Sequence, residues 1–162
     1  MVGGSVRPVG REAERCKRTR KCMDEGGFFA KIVKGDLPQA PITRLLGWKF
    51  LEFDASQQVI KVEMQARPEF INPVGFIHGG MLAAMLDETL SPALAATLGP
   101  GEFAPTLEIK VNFITPAKVR SSAGYGSGRE SRPFNLRLGG AHDEHGNLLA
   151  IAMATSKIGR QS

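Results

Sequence analysis

The chain has 162 residues, 42% of them apolar, and a formal net charge of +5. That length favours one domain with room for a sizeable core, and the longest strongly apolar run, Met81 to Leu86, is far too short to cross a bilayer. The charge is no general nucleic-acid footprint: Arg7, Arg11, Arg15, Lys17, Arg18, Arg20 and Lys21 against Glu12 and Glu14 supply the whole excess, leaving the rest formally neutral.

Residues 1–27 read as a basic, disordered leader, with Met23 as the natural beginning of the protein. The leader lacks the aromatics and helical period of a nucleic-acid or membrane-docking arm. Glu12, Glu14 and a scarcity of serine fit a transit peptide poorly, and no apolar core of a secretory signal is seen. Cys16 and Cys22, the only cysteines, are too few for a disulfide scaffold and have no further metal ligands beside them. A cytoplasmic protein with no nucleic-acid or membrane partner is expected, its single folded domain covering residues 28–160.

In that domain, Phe28, Phe29, Ile32 and Val33 recur at helical spacing up to Gly35. A short second helix is expected over Pro41 to Leu46, opened by proline and closed by Gly47. Trp48 to Asp54 is aromatic-rich and strand-like, and Val59 to Met64 alternates as a half-buried strand. Pro68 and Pro73 make Arg67 to Phe76 a loop. From His78 to Leu98 the chain forms one long helix candidate, apolar nearly all round and therefore wrapped inside the domain. Pro92 falls within it, removes a backbone bond to Glu88 and should kink it.

Four strands follow: Thr106 to Ile114, Val119 to Arg129, Phe134 to Asp143 and Leu148 to Ile158. The first alternates Leu107, Ile109, Val111 and Phe113 against Thr106, Glu108, Lys110 and Asn112. Glu144 to Asn147 turns the last two, with Gly146 free to take positive φ. Short turns between strands imply antiparallel pairing. The sum is an α+β architecture, about six antiparallel strands curled around one buried helix.

The chemistry concentrates between Asn72 and Asp87. Gly79 and Gly80 open the long helix, leaving backbone N–H donors uncovered at its positive end. Such donors can hold an oxyanion developing on a carbonyl. Two turns on, Asp87 and Glu88 interrupt an apolar face, where a carboxylate is costly unless paired or used. Each feature also has an ordinary role. Glycines ease close packing, His78 can cap the helix, Asn72 before Pro73 can start a turn, the acids can line a solvated edge, and Thr106 can be a plain strand residue.

Taken together, Asn72, His78-Gly79-Gly80, Asp87, Thr106 and Thr115-Pro116-Ala117 resemble the PaaI-like acyl-CoA thioesterases of the hotdog superfamily, over roughly residues 45–158. The resemblance implies a hotdog fold and a homodimer or dimer of dimers with active sites between subunits. It implies that Asp87 acts as general base on water or attacks the thioester carbonyl, while the Gly79 N–H polarises that carbonyl. Asn72 and His78 would position substrate or water, Thr106 would orient water, and Gly80 and Glu88 would border the substrate. It further implies that Asn72 and Gly79 of one chain face Asp87 and Thr106 of the other.

No cofactor or metal is expected, because a thioester's thiolate leaves readily and one carboxylate with one oxyanion donor suffices. Neither a serine elbow nor a metal-ligand cluster is evident. Glu88 lies about 100° round the helix from Asp87, and the spacing of the resembled family implies that Asp87 is the preferred carboxylate. Lys118, Arg120, Arg129, Arg132 and Arg137 are available for CoA phosphates, though each also suits a solvated basic edge. Two other readings stay open. One is a hotdog hydratase using His78 with Asp87, the other an acyl-CoA-binding protein without catalysis.

Overall fold

A computed structural model describes residues 27–119, 121–131 and 134–160. The leader with Cys16 and Cys22, and the side chains of Arg120, Arg129 and Arg132, lie outside the described residues. Helix α1 (Phe28–Lys34) stops at Gly35, whose φ of 83° lets its N–H turn back to the last helical carbonyls. Phe29 is buried and sets its ring edge-on against Trp48 and Phe50. Helix α2 (Pro41–Leu45) has proline in its first turn and is followed by Gly47 at φ 62°. A Cβ on Gly47 would lie 2.8 Å from Gln65 Cβ, so the close approach there needs glycine.

Strands β1 (Lys49–Asp54) and β2 (Val59–Gln65) pair antiparallel. Along β2, Ile60, Val62 and Met64 are buried while Lys61 and Glu63 turn outward, as the alternation predicts. The loop after β2 contains a 3-10 turn at Pro68–Phe70 and delivers the chain to helix α3 (Gly79–Ala95). Its buried positions Leu82, Met85, Leu86, Thr89, Leu90, Ala93 and Leu94 follow the helical period.

Pro92 has no N–H for the Glu88 carbonyl, the partner that position 92 would normally serve. Trp48 Nε1 donates to that carbonyl at 3.0 Å. The opening that proline leaves in the ladder is thus filled by the residue just before β1, and α3 runs on to Ala95.

After α3 come β3 (Glu102–Phe103), β4 (Thr106–Phe113), β5 (Ser121–Ser131), β6 (Phe134–His142), β7 (Leu148–Lys157) and β8 (Gly159–Arg160). Six strands form one antiparallel sheet in the order β1-β2-β5-β6-β7-β4, and β3 pairs with β8 as a small ribbon that the sequence reading missed. Helix α3 packs against β2, β4, β5, β6 and β7, so the sheet wraps it as expected of the hotdog architecture. On β7 the face in the core is Ala150, Ala152, Ala154 and Ser156, all buried.

Two strands depart from simple alternation. In β4 the register shifts between Thr106 and Glu108, pairing Thr106 with Ser156 and Glu108 with Thr155. That bulge leaves Leu107 outside and turns Thr106 inward. In β6 the leucines Leu136 and Leu138 are exposed, while Arg137 between them is fully buried. A solvated basic edge is therefore not where Arg137 lies.

Candidate active site

Asp87 sits on the third turn of α3 and is half-buried. Thr106 Oγ1 donates to Asp87 Oδ1 at 2.9 Å, which the β4 bulge makes possible. Ser91, one helical turn after Asp87, donates to the same oxygen over a longer 3.4 Å. Among the described residues Oδ2 takes no hydrogen bond.

Behind both hydroxyls lies the Arg137 guanidinium. Nη1 donates to Ser91 Oγ at 3.2 Å and Nη2 to Thr106 Oγ1 at 3.1 Å, with Nη2 also bonded to the buried Ser156 Oγ. Burial pulls the Arg137 pKa below its ordinary value, and the negative charge of Asp87 opposes that shift. Ser91 and Ser156 were not among the expected site residues, and Arg137 was weighed only as a cation for CoA phosphates, a role its full burial denies it. The four-residue step from Asp87 to Ser91 was a usable signal; a buried arginine flanked by exposed leucines had none.

A second cluster gathers at the start of α3. His78 is the N-cap, its Nδ1 accepting from the Gly80 N–H at 3.0 Å. The Gly80 N–H is thereby occupied, and the Gly79 N–H makes no hydrogen bond among the described residues. A Cβ on Gly79 would lie 3.2 Å from Phe113 Cζ, so an aromatic ring backs this donor. Asn72 Oδ1 accepts from the N–H groups of Val74 and Phe76, at 3.0 and 3.1 Å, and so fixes the loop. Asn72, Gly79, Phe113 and Thr115 line one groove of about 410 Å³.

The expected residues thus fall into two groups. Asp87 meets Thr106; Asn72 and Gly79 share a groove, and His78 caps the helix start beside it through Gly80. Eight residues separate Gly79 from Asp87, about 12 Å of helix axis, so one chain does not bring them to the same carbonyl.

Glu88 points away from Asp87, towards α1, α2 and β1. Its Oε2 accepts from Thr43 Oγ1 at 3.1 Å. Burial raises its pKa above the ordinary 4.5, the Thr43 bond opposing this and the charge of Asp87 adding to it. Glu88 and Ser91 border a mostly apolar cleft of about 270 Å³ with Phe29, Trp48, Leu94 and Ala95. Among the described residues no three His, Cys, Asp or Glu side chains are grouped to hold a metal, and no helix is long and apolar enough to cross a membrane.

Residues 74–122 match the family model of the thioesterase superfamily. A phenylacetic acid degradation-related protein from Ralstonia eutropha is 30% identical, with a TM-score of 0.78 over 80% of this chain and 98% of that one. A thioesterase family protein from Silicibacter pomeroyi, 20% identical, superposes with a TM-score of 0.72 over 82% of this chain and 99% of that one. A thioesterase from Haemophilus influenzae, 19% identical, gives 0.67 over 73% and 82%; at these lower identities the likeness is one of fold. No curated protein matches the sequence.

Proposed function

Because this chain belongs to the PaaI-like branch of the hotdog thioesterase superfamily, and thioester hydrolysis is its general chemistry, we propose that it hydrolyses acyl-CoA with Asp87 as general base. The observation that carries this reading is the Asp87 carboxylate itself. It is half-buried, with one oxygen held by two hydroxyls and the other unengaged among the described residues.

In the proposed reaction Asp87 Oδ2 takes a proton from water as the hydroxide adds to the thioester carbonyl. The resulting oxyanion accepts from the Gly79 N–H, the uncovered donor at a helix start. Collapse breaks the carbon–sulfur bond, and the departing thiolate recovers the proton from Asp87. Free acid and CoA leave, and the carboxylate is regenerated. Asn72 and His78 support the Gly79 end by fixing the loop and the helix cap.

The donor comes from a second copy of the chain. Strand β4 is an edge of the sheet, and Leu107, Phe113 and Ile114 on or beside it are exposed. An apolar edge strand asks to be covered, and pairing with its own copy covers it. The same pairing accounts for the separation of Gly79 from Asp87 within one chain. The acyl group enters the apolar cleft that Ser91 joins to Asp87. At about 270 Å³ it exceeds the roughly 150 Å³ of a cavity known to hold benzene, which suits a ring or a short to medium alkyl chain. Of the cations weighed for CoA phosphates, Lys118 is the one that is described and exposed.

The test is thiol release from a panel of aryl and alkyl acyl-CoAs, with Asp87→Asn and Asp87→Ala beside the parent protein. Both variants should lose turnover by about 10²–10⁴-fold. Turnover retained in both would remove Asp87 from the reaction, and enoyl-CoA hydration without thiol release would replace the proposed chemistry.

A further inference from the structure

Arg137 is the largest fully buried side chain among the described residues. Burying a guanidinium is costly, and here its Nε has no hydrogen-bond partner among the described residues. An apolar side chain would fill that space at lower cost, so the charge has a use beyond packing. Its geometry shows which. A guanidinium only donates, whereas a hydroxyl has one hydrogen to give. Ser91 and Thr106 each accept from Arg137, at 3.2 and 3.1 Å. Each must therefore send its own hydrogen elsewhere, and both face Asp87 Oδ1.

We propose that Arg137 is the positioning residue of the active site: through the Ser91 and Thr106 hydroxyls it occupies Asp87 Oδ1 and leaves Oδ2 as the reacting oxygen. The inference rests on the reading of Asp87 as the catalytic carboxylate. The charged groups beside Asp87 are Arg137 from β6 and Glu88 on its own helix, and Glu88 bonds to Thr43 instead. Arg137 is closed off from solvent and its hydrogen bonds go to Ser91, Thr106 and Ser156, so it acts on Asp87 through the hydroxyls.

The test compares R137M, R137K, S91A, T106V and T106S in the full chain, by thiol release, with folding checked by circular dichroism. R137M should lower kcat by roughly 10–100-fold, as loss of an orienting partner does, with KM nearly unchanged. R137K, which keeps the charge but loses the planar fork, should recover only part of that kcat. S91A and T106V should lower kcat in the same way with KM nearly unchanged, T106S should recover most of what T106V loses, and S91A should add little to R137M.

A folded R137M with the parent's kcat overturns the proposal, and so does a loss that falls on KM and leaves kcat alone. Should both Arg137 variants fail to fold, S91A and T106V decide: parent-like kcat in both overturns it equally. The Asp87 variants separate the two readings. Turnover surviving in Asp87→Asn and Asp87→Ala defeats the catalytic carboxylate itself. Turnover lost there but untouched by Arg137, Ser91 and Thr106 substitutions defeats the positioning role alone.

Discussion

Trp48 and Pro92 form a pair whose coupling can be measured. The Glu88 carbonyl, deprived of its helical donor by Pro92, accepts from Trp48 Nε1 at 3.0 Å, and Trp48 is 4% exposed. Trp48→Phe removes that donor and leaves the carbonyl without a partner, at a cost of about 1–3 kcal/mol. The smaller ring should add about 1–2 kcal/mol of lost packing. Pro92→Ala restores an N–H at position 92, so the carbonyl gains an intrahelical partner. In that background Trp48→Phe should cost only the packing loss. The double-mutant cycle therefore predicts a coupling of about 1–3 kcal/mol, the full orphan-carbonyl penalty. Urea denaturation followed by circular dichroism at fixed protein concentration measures it; fluorescence does not serve, because Trp48 is the only tryptophan. Additivity within about 0.5 kcal/mol would refute the reasoning.

Further outcomes follow from the same geometry. Gly79→Pro removes the uncovered N–H at the first helical position, where proline's φ fits once the Phe113 ring, 3.2 Å from the new Cβ, gives way slightly, so it and Asp87→Asn should each be inactive alone. Random mixed dimers of the two, made by co-expression, should regain about a quarter of parent activity through one intact site in each heterodimer; no recovery would deny the shared site. Glu88→Gln should raise the melting temperature at pH 8 and leave it unchanged near pH 4. Below the ordinary 4.5 Glu88 is protonated folded or unfolded, whereas above its raised folded value the cleft must hold an anion. A gap independent of pH would contradict this. Ala95→Phe, which fills the apolar cleft, should lower kcat/KM for an aryl acyl-CoA about tenfold more than for acetyl-CoA. Equal losses would place the acyl group elsewhere.

How far the sequence could be read depended on whether local pattern or tertiary context set each position. Along β2 the alternation of Ile60, Val62 and Met64 with Lys61 and Glu63 placed the core correctly, because one face meets α3 and the other meets solvent. The long helix was legible from its apolar girth, and Gly35 and Gly47 from the helices they close. Along β4 the same logic put Thr106 on the outer face with Glu108, and it failed because one inserted residue reverses the phase. Arg137 was harder still. Leu136 and Leu138 favour the outside here, since the inner face of β6 belongs to a charge that only the folded carboxylate and hydroxyls can accommodate. The β3–β8 ribbon was invisible because two residues carry no period. As for the candidate site, Asn72, His78, Gly79, Gly80, Asp87, Glu88 and Thr106 could be named from spacing. Their division into two groups could not, since it depends on helix length and sheet wrapping.

The alanines of β7 carry a consequence for how this scaffold can vary. Ala150, Ala152 and Ala154 floor the space under α3, so on this strand the sheet offers the helix only methyl groups. That floor behaves as a shim. A valine in any of the three seats would jack the helix upward by a fraction of an ångström, and a hydroxyl spanning 2.9 Å to its carboxylate has little slack to follow. Drift at these seats, remote from any substrate, would thus be felt first as slower turnover and only later as a looser fold.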